Sequence, residues 1–507
     1  MFRKISCICY LIICSQFSTF LHAQKKHDYN WLFGYGTGVP DSSSPYGGII
    51  MSFNDGQISF IPQARDFEFN LQTNSFSDDF GVLMYLSNGC FLADSEAKIL
   101  PNGDSLGYGK IWGVNCPKYQ PAAQSCLFIN FSNSEELVFF QTILDTIGNG
   151  QKAFRKCIYE NIIVHSNDSV KSKNKIILYD TIYGGGFSAI PVDNSYKSWW
   201  GIAPARHNNE IYTFLYTQNG IEKINKQSIG KEHIALGSGG AQGLFSPNGR
   251  HYAFYSPLSG LQVFDFDRTT GLLSNFKFYE IIYPFNTVGG CGFSPDSRFV
   301  YVSNPTEVLQ VDLLEQDSSK AIDTVGVFDN FFDPYPATYM QMALGPDCKI
   351  YITAGGGNQY LHVILYPNRK GKECQLINRG LKLPTRNSHA TPNFPHYRVD
   401  EPYPCDSTIR IQLNTDVDEA FKFRQGELLL YPNPAKSELI LHDIQNLIPG
   451  KVNIRLFSIQ SQLISEMRAD NAGDEIRIPV QNLTTGMYII QLRSDKGRYW
   501  VEKFLKE

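Results

Sequence analysis

A repeated pattern of apolar and polar positions dominates the middle of the chain. Four segments combine an apolar run, a proline with turn-forming residues after it, and an alternation rich in Tyr, Phe, Val and Ile. They contain Pro204, Pro247, Pro295 and Pro346, so the steps between them are 43, 48 and 51 residues. Proline presets φ and Asn or Asp suits the next turn position, so each segment predicts a tight hairpin between two strands.

Further alternating segments follow each hairpin, for example "GLQVFDFDRTTGLLSNFKFY" from residue 260. About four strands in every 40–50 residues is the period of a β-propeller blade. The pattern gives six units that start near residues 66, 121, 197, 241, 290 and 339. A seventh is assembled from the N-terminal strands in 31–36 and 48–61 with "TPNFPHYRV" at 391–399. We therefore predict an all-β chain with a seven-bladed propeller; six or eight blades, or a stack of β-sandwiches, are the alternatives.

The pattern changes near the C-terminus. A polar, irregular stretch predicts that the propeller covers residues 24–405 and that a linker covers 406–427. The remaining residues, 428–507, contain short alternating strands separated by turns. They predict a small Ig-like β-sandwich as a separate C-terminal domain.

The C-terminal segment also carries a specific resemblance. "YPNPAKSELIL" and "LTTGMYIIQLRSDKGRYWVEKFLK" resemble the type A C-terminal sorting domain of type IX secretion cargo, known from Bacteroidota. The resemblance implies recognition by the type IX machinery, passage across the outer membrane, cleavage of the domain, and release or attachment at the cell surface. An ordinary Ig-like module is the alternative. The motif residues are Tyr431, Pro432, Asn433, Pro434, Gly486, Tyr488 and Lys503.

The ring is similar to secreted propeller proteins that commonly carry this tail. The similarity rests on "WLFG", "WWGIAPARHNNEIYTFLYTQNGI", "FSPNGRHYAFY" and "GPDCKIYI", within residues 31–398. The family element before the Trp pair reads "DNSYKSWW" here, which departs from the usual pattern. The family has no assigned reaction, so the resemblance implies fold and location only. Lactonase-type and surface-layer-type propellers are more distantly similar.

The N-terminus predicts export. "MFRK" is positively charged, "ISCICYLIICSQF" is a short apolar core, and "LHA" precedes a plausible cleavage point, so residues 1–23 read as a signal peptide. A buried first strand is the alternative. The apolar core is too short to span a bilayer and no later stretch is long enough, so no membrane-spanning segment is predicted.

Composition agrees with a secreted β protein. Aromatic residues make up 13% of the chain and favour strands, while the 42 Gly and 26 Pro favour turns. The net charge of −4 argues against a nucleic-acid partner. Eight cysteines follow residue 23, which leaves the disulfide connectivity open. Cys116–Cys126 and Cys348–Cys374 are candidate local pairs, and Cys291 reads as a small buried residue.

The search for chemistry yields no catalytic, metal or cofactor motif, so none of these is predicted. His207, placed at a first hairpin turn, and His389 and His396 are the histidines nearest to a possible site. Asp265 and Asp267 fit a turn better than a cation site, because the other ligands of a calcium loop are missing.

The predicted ligand site is an aromatic and amide-rich cup at one mouth of the ring. Flat apolar faces with amides and carboxylates suit sugar rings. We therefore expect a binding or adhesion module for an extracellular glycan or protein; a lactonase-like or other hydrolytic propeller is the alternative, and packing of the aromatics between blades also stays open. The residues of the cup are Trp199, Trp200, Gln242, Asn304, Asp333, Tyr335, Tyr339, Asn358 and Tyr360.

Overall fold

The structure is a computed structural model that describes most of the chain after residue 24. The described residues are 25–108, 112–116, 118, 123–147, 152–234, 240–283, 285, 287–318, 320–399, 402–414, 429–442, 451–458, 463–470, 475–494 and 499–507. The predicted signal peptide and most of the predicted linker therefore lie outside them. The chain divides into two compact units, one within 1–378 and 382–412 and the other within 379–381 and 413–507.

Seven antiparallel sheets form the first unit among the described residues, and we number them as blades 1–7 in chain order. Blade 1 has β1 (Asn30–Phe33), β2 (Gly48–Ser52) and β3 (Ser59–Gln63). Blade 2 has β4 (Asn74–Ser77), β5 (Leu83–Ser87) and β6 (Leu92–Asp94). Blade 3 has β7 (Cys126–Asn130), β8 (Glu136–Ile147), β9 (Lys152–Val164) and β10 (Ser169–Ile182).

The other four blades have four strands each. Blade 4 has β11 (Ser188–Pro191), β12 (Ser198–Pro204), β13 (Glu210–Thr217) and β14 (Gly220–Ser228). Blade 5 has β15 (Gln242–Phe245), β16 (His251–Ser256), β17 (Gly260–Asp267) and β18 (Leu272–Tyr279). Blade 6 has β19 (Gly290–Phe293), β20 (Phe299–Asn304), β21 (Glu307–Asp312) and β22 (Ile322–Val327). Blade 7 has β23 (Met342–Leu344), β24 (Ile350–Thr353), β25 (Asn358–Ile364) and β26 (Leu376–Asn387). A short helix, α1 (Trp112–Asn115), and 3-10 turns at His165–Asn167 and Gly371–Cys374 complete the unit.

The sheets are arranged as a β-propeller, which confirms the predicted fold class. The first strands of blades 2 to 7 contact one another in succession, and β1 contacts β4. The Trp31 and Phe53 rings of blade 1 pack against Tyr351 of blade 7, with centroids 5.6 and 5.8 Å away, and so close the ring. In blades 2 to 7, we call the face with the turns between first and second strands the bottom face. The opposite face, with the turns between second and third strands of those blades, is the top face. The β1–β2 loop of blade 1 also lies on the top face, since its Pro45 carbonyl accepts from Arg386 N near the end of β26.

The proline hairpins lie where the sequence predicts them in three of four cases. Pro247, Pro295 and Pro346 each stand in the turn between the first two strands of blades 5, 6 and 7. The prediction for Pro204 is wrong, because this residue ends β12 opposite Ile211 and the first hairpin turn of blade 4 is 192–197. The four-residue β11 is buried throughout, so it offers no alternation that sequence reasoning detects.

The segment 388–399 does not complete blade 1 as a strand, contrary to the prediction for "TPNFPHYRV". It starts at the top face after β26 and runs down the central channel. Asn393 donates to the carbonyls of Cys126 and Phe187 at 3.0 and 3.1 Å. Further down, His396 bonds to the Phe245 carbonyl at 2.7 Å. Side chains of this segment therefore bond to residues at blades 3, 4 and 5.

The disulfides differ from both candidate pairs. Cys90 pairs with Cys116, and Cys348 pairs with Cys405. Proximity in the sequence did not predict the pairing of Cys348, because its partner Cys405 lies at the bottom face of blade 7 only after the chain has passed through the channel. Cys126, Cys157, Cys291 and Cys374 are buried thiols, which confirms the interpretation of Cys291.

The C-terminal unit contains two antiparallel sheets that enclose one apolar core, as expected for an Ig-like sandwich. Leu439, Ile454 and Ile490 are among the core residues contributed by both sheets. Among the described residues, no helix has the length and apolar character needed to cross a membrane. The strands are β27 (Leu429–Tyr431), β28 (Glu438–His442), β29 (Lys451–Ser458), β30 (Leu463–Asp470), β31 (Glu475–Pro479), β32 (Gly486–Ser494) and β33 (Tyr499–Lys506).

Candidate functional site

The propeller channel is largely filled by protein. Gln124 donates to the Gly243 carbonyl at 3.2 Å and accepts from Gly186 N at 2.9 Å and Gly243 N at 3.0 Å. The amide thereby joins blades 4 and 5 in the middle of the ring. Segment 388–399 also lies there, and the cavity that it lines together with Gln124 and Gln242 has a volume of about 50 Å³, far below that of an ordinary ligand pocket.

Trp199 and Trp200 do not lie at the predicted cup. Both start β12 at the bottom face, and both rings are buried. The Trp199 indole N–H donates to the Asn130 carbonyl of blade 3 at 2.8 Å, and the Trp200 N–H donates to the Arg268 carbonyl of blade 5 at 2.7 Å. The two rings therefore pack between blades, as the alternative interpretation had it.

Three other predicted residues make internal contacts. Gln242 donates to the Met342 carbonyl at 2.7 Å and accepts from Cys291 N at 3.2 Å, which joins blades 5, 6 and 7. Asn304 accepts from Glu307 N in its own turn, and the buried Tyr339 donates to Asn378 at 2.7 Å. Their side-chain polar groups are therefore engaged within the protein.

The other four predicted residues come together on the top face of blade 7. Tyr360 donates to the Asp333 carboxylate at 2.9 Å, and Asn358 donates to the Pro336 carbonyl at 3.0 Å. The Tyr335 ring lies against Gly357, where any Cβ would come within 2.7 Å of the ring. Part of the predicted cup is therefore a real cluster, centred on one blade rather than on the channel mouth.

Arg386 holds this cluster together, and sequence reasoning missed it. Its Nη1 donates to the Asp333 carbonyl at 3.1 Å and to the Gly357 carbonyl at 2.6 Å. Its backbone N–H donates to the Pro45 carbonyl at 2.7 Å. Loops of blades 7 and 1 are thus fastened at one residue. The only signal in the sequence was a basic residue just before the end of a long strand.

Three exposed aromatic side chains belong to the loops that Arg386 fastens. Phe332 is 48% exposed, Tyr335 is 53% exposed, and Tyr46 follows the Pro45 that bonds to Arg386 and is 48% exposed. Large exposed aromatics beside ordered polar groups are common at binding surfaces. We call Tyr46, Phe332, Asp333, Tyr335 and Arg386 the top patch.

The histidines singled out in the sequence occupy different places. His389 and His396 lie in the channel segment, and burial lowers the pKa of each to about 4. The predicted location of His207 is wrong, because it lies in the top-face turn between β12 and β13. Asp267 accepts from Thr269 N at 2.8 Å and from the Thr270 hydroxyl at 2.7 Å, which confirms its role in a turn.

The bottom face has a cleft of about 410 Å³ between blades 2 and 3. Its walls come from the hairpin turns that follow β4 and β7, together with residues at the start of the described chain. In the sequence these turns read only as hairpin connections, so the cleft had no direct sequence signal. The main lining residues are Lys25, His27, Asp79, Phe80, Asn130 and Phe131.

His27 is the buried polar group of this cleft. Its Nδ1 lies 2.6 Å from the Ser77 carbonyl, which only accepts, so Nδ1 carries the proton. The Asn130 amide donates to Nε2 at 3.0 Å, and Asp79 Oδ1 lies 3.2 Å from the same nitrogen. Burial lowers the pKa of His27, against the raising effects of the Ser77 hydrogen bond and the Asp79 charge. The imidazole is therefore neutral at neutral pH.

The sorting motif residues are brought together in the C-terminal unit. Asn433 accepts from Leu505 N at 2.8 Å, which ties the Pro-Asn-Pro turn to β33. Tyr431 donates to Glu475, and Tyr488 donates to the Thr484 carbonyl. Pro432 and Pro434 flank Asn433 in that turn, Gly486 begins β32, and Lys503 stands opposite Ile489 in β33. Turn and last strand thus form one local structure.

No cluster of three or more His, Cys, Asp or Glu side chains within the described parts of the chain is placed to hold a metal ion.

Fold and tail together define a β-propeller protein with a secretion tail. Residues 429–507 match the family described as "Secretion system C-terminal sorting domain". They are a type IX sorting tail, which indicates a secreted or cell-surface protein handled by type IX secretion.

Comparison with known proteins assigns no activity to this chain. No curated protein sequence matches the chain. The Dos1 propeller is 12% identical, with 64% of this chain and 91% of that chain covered and a TM-score of 0.35. Sqt1 from Chaetomium thermophilum is 10% identical (76% and 87% covered, TM-score 0.29). An oligogalacturonate lyase in complex with manganese is 12% identical (65% and 84% covered, TM-score 0.36).

Proposed function

We propose that the protein is an exported binding or adhesion module that recognises an extracellular glycan or protein through the top patch. The observation that carries this proposal is the set of exposed aromatic residues on loops whose backbone carbonyls bond to Arg386. Tyr335 is 53% exposed and lies against Gly357, and the Asp333 carboxylate accepts from Tyr360 in the same cluster. Aromatic faces and carboxylates are groups to which sugar rings bind. Hydrogen bonds from Arg386 hold the loops in place before a ligand binds, which lowers the conformational entropy lost on binding.

A hydrolytic propeller remains the second candidate. It requires an acid and a base that converge on a substrate pocket. The channel offers little support for it, since segment 388–399 occupies the space and the polar groups of Gln124 and Gln242 are committed to backbone partners. Binding by the top patch is therefore the function that the geometry favours.

A ligand screen tests the proposal. The full-length secreted protein is applied to arrays of glycans and extracellular proteins, together with the variants Tyr335→Ala and Asp333→Asn. We expect at least one specific ligand. Either variant should weaken its affinity about tenfold, which corresponds to about 1.4 kcal/mol of binding free energy. The matched control is Tyr366→Ala, which removes an aromatic ring that is 44% exposed and belongs to no part of the top patch.

Two results would count against the proposal. One is the lack of any ligand on either array, and the other is a ligand whose affinity is the same for wild type, Tyr335→Ala and Asp333→Asn. Turnover of ester or lactone substrates by the same preparation would favour the hydrolytic alternative.

A further inference from the structure

The bottom-face cleft presents mainly hydrogen-bond acceptors. Asp79 offers both carboxylate oxygens, of which Lys25 holds one, while the Nε2 lone pair of His27 already accepts from the Asn130 amide. Asn130 Oδ1 is buried and has no hydrogen-bond partner among the described residues. Asp78 and Glu136 add two further carboxylates to the lining. A ligand that fits these walls has to donate hydrogen bonds and benefits from positive charge.

The floor and the lip of the cleft are apolar. Phe76 and Phe131 are buried, with Phe76 stacked on the His27 ring at 4.8 Å between centroids. Phe80 stands at the lip and is 79% exposed. A volume of about 410 Å³ is within the ordinary range of ligand pockets and holds a side chain with part of its backbone.

Lys25 already places an ammonium group in this environment. Its Nζ lies 2.6 Å from Asp79 Oδ2 and 5.7 Å from the centroid of the Tyr196 ring. The side chain is 28% exposed, so solvent reaches the ion pair and an external group can compete for the carboxylate. Lys25 therefore shows which chemistry the cleft accepts.

We propose that the cleft is a second binding site, separate from the top patch, for a lysine or arginine side chain of an extracellular peptide. The cationic head displaces Lys25 from Asp79 and donates to Asp79 and to the acceptors beside it. The apolar stem packs between Phe80 and the floor formed by Phe76 and Phe131. The site lies on the opposite face from the top patch, so it does not depend on the proposed glycan or protein recognition there.

Calorimetric titration of the full-length protein tests this site. The probes are the blocked tripeptide Ala-Lys-Ala and the same peptide with norleucine in place of lysine, which keeps the stem and removes the charge. We expect the lysine peptide to bind about tenfold more tightly than the norleucine peptide, as a charge-assisted hydrogen bond predicts.

Two variants give opposite shifts. Asp79→Asn removes the charge partner and is expected to weaken binding of the lysine peptide about tenfold. Lys25→Met removes the internal competitor while it keeps an apolar stem, and it is expected to tighten binding. The Asp79 side chain is 50% exposed, so its replacement leaves the fold intact. Glu315→Gln, at the separate cavity near Lys277, is the matched control and leaves the affinity unchanged.

Several results would overturn the site. These are no detectable binding of the lysine peptide, equal affinity for the norleucine peptide, or a loss of binding in Lys25→Met. Competition by an uncharged sugar would show that the cleft selects hydroxyl groups instead. Tyr335→Ala distinguishes the two proposals, because it impairs the top patch and leaves binding of the lysine peptide as it is in the wild type.

Discussion

Arg398 and Asp28 form a buried bidentate ion pair that joins the two ends of the propeller chain. Arg398 Nη1 lies 2.7 Å from Asp28 Oδ1, and Nη2 lies 2.6 Å from Oδ2. The guanidinium also donates to the Lys25 carbonyl at 2.6 Å and to the Tyr403 hydroxyl at 3.0 Å. Many propellers close their ring with a shared sheet. Here side chains from the channel segment supply the connection at the bottom face.

Removal of Arg398 should destabilise the propeller strongly. Arg398→Met leaves the Asp28 carboxylate buried without its charge partner, which costs about 3–5 kcal/mol. The double variant Asp28→Leu/Arg398→Met buries no charge and should recover part of that loss. Chemical denaturation, followed through the unfolding transition of the propeller, measures the stability of the single and the double variant. Lys320→Met, which breaks an exposed ion pair, should change the stability by less than about 1 kcal/mol. Equal effects of Arg398→Met and Lys320→Met would contradict the role of the ion pair.

The disulfide pattern is directly testable. Peptide mapping without reduction should recover Cys90 linked to Cys116 and Cys348 linked to Cys405. Burial raises the pKa of Cys291 and Cys374, so these thiols should resist alkylation until the protein is unfolded. Cys405→Ser should lower the stability by about 2–5 kcal/mol, since it releases the chain from blade 7. A Cys348–Cys374 peptide in the map would refute the assignment.

Acid should destabilise the propeller through its buried histidines. His233, His389 and His396 have pKa values lowered by burial to about 4 from an ordinary value of 6.5. In this window the unfolded chain binds more protons, so their contribution is complete above pH 6.5 and is lost as the pH falls towards 4. The slope is at most about 1.4 kcal/mol per pH unit for each histidine.

Melting temperatures between pH 7.5 and 4 measure this effect. His396→Gln can keep a donor for the Phe245 carbonyl and has no titrating group, so its melting temperature should fall less steeply with pH than that of the wild type. Parallel curves for the two proteins would show that His396 does not contribute.

Gln242 should matter for stability rather than for ligand binding. Gln242→Leu leaves the buried Cys291 N–H and the Met342 backbone without their amide partner, and each unsatisfied group costs about 1–3 kcal/mol. Its affinity for any ligand of the top patch should equal that of the wild type. A loss of ligand affinity without a loss of stability would instead support the original prediction that Gln242 contacts the ligand.

The sequence predicted the propeller well because the hairpins are local. In "FSPDSRFVYVSN", Ser294 N donates to the Phe299 carbonyl at 2.9 Å, and Phe293 pairs with Val300. Such contacts join residues a few positions apart, so residue pattern and turn chemistry are enough to predict them. The sorting tail was recognisable for a different reason, because "YPNP" and the last strand resemble a known family, although Asn433 and Leu505, which meet in the fold, are far apart in the sequence.

Tertiary structure alone decided the sites, because they depend on contacts between distant residues. Because the four-residue β11 is the first strand of blade 4, the strand that contains Trp199 and Trp200 is its second strand. The two residues therefore lie at the bottom face and not at the expected mouth. Arg386 lies at the centre of the top patch because its backbone N–H bonds to the distant Pro45 carbonyl. Lys25 likewise forms an ion pair with Asp79, which is far from it in the sequence. Local periodicity therefore determined which strands form, while the path of the chain around the ring and through its channel determined which side chains meet.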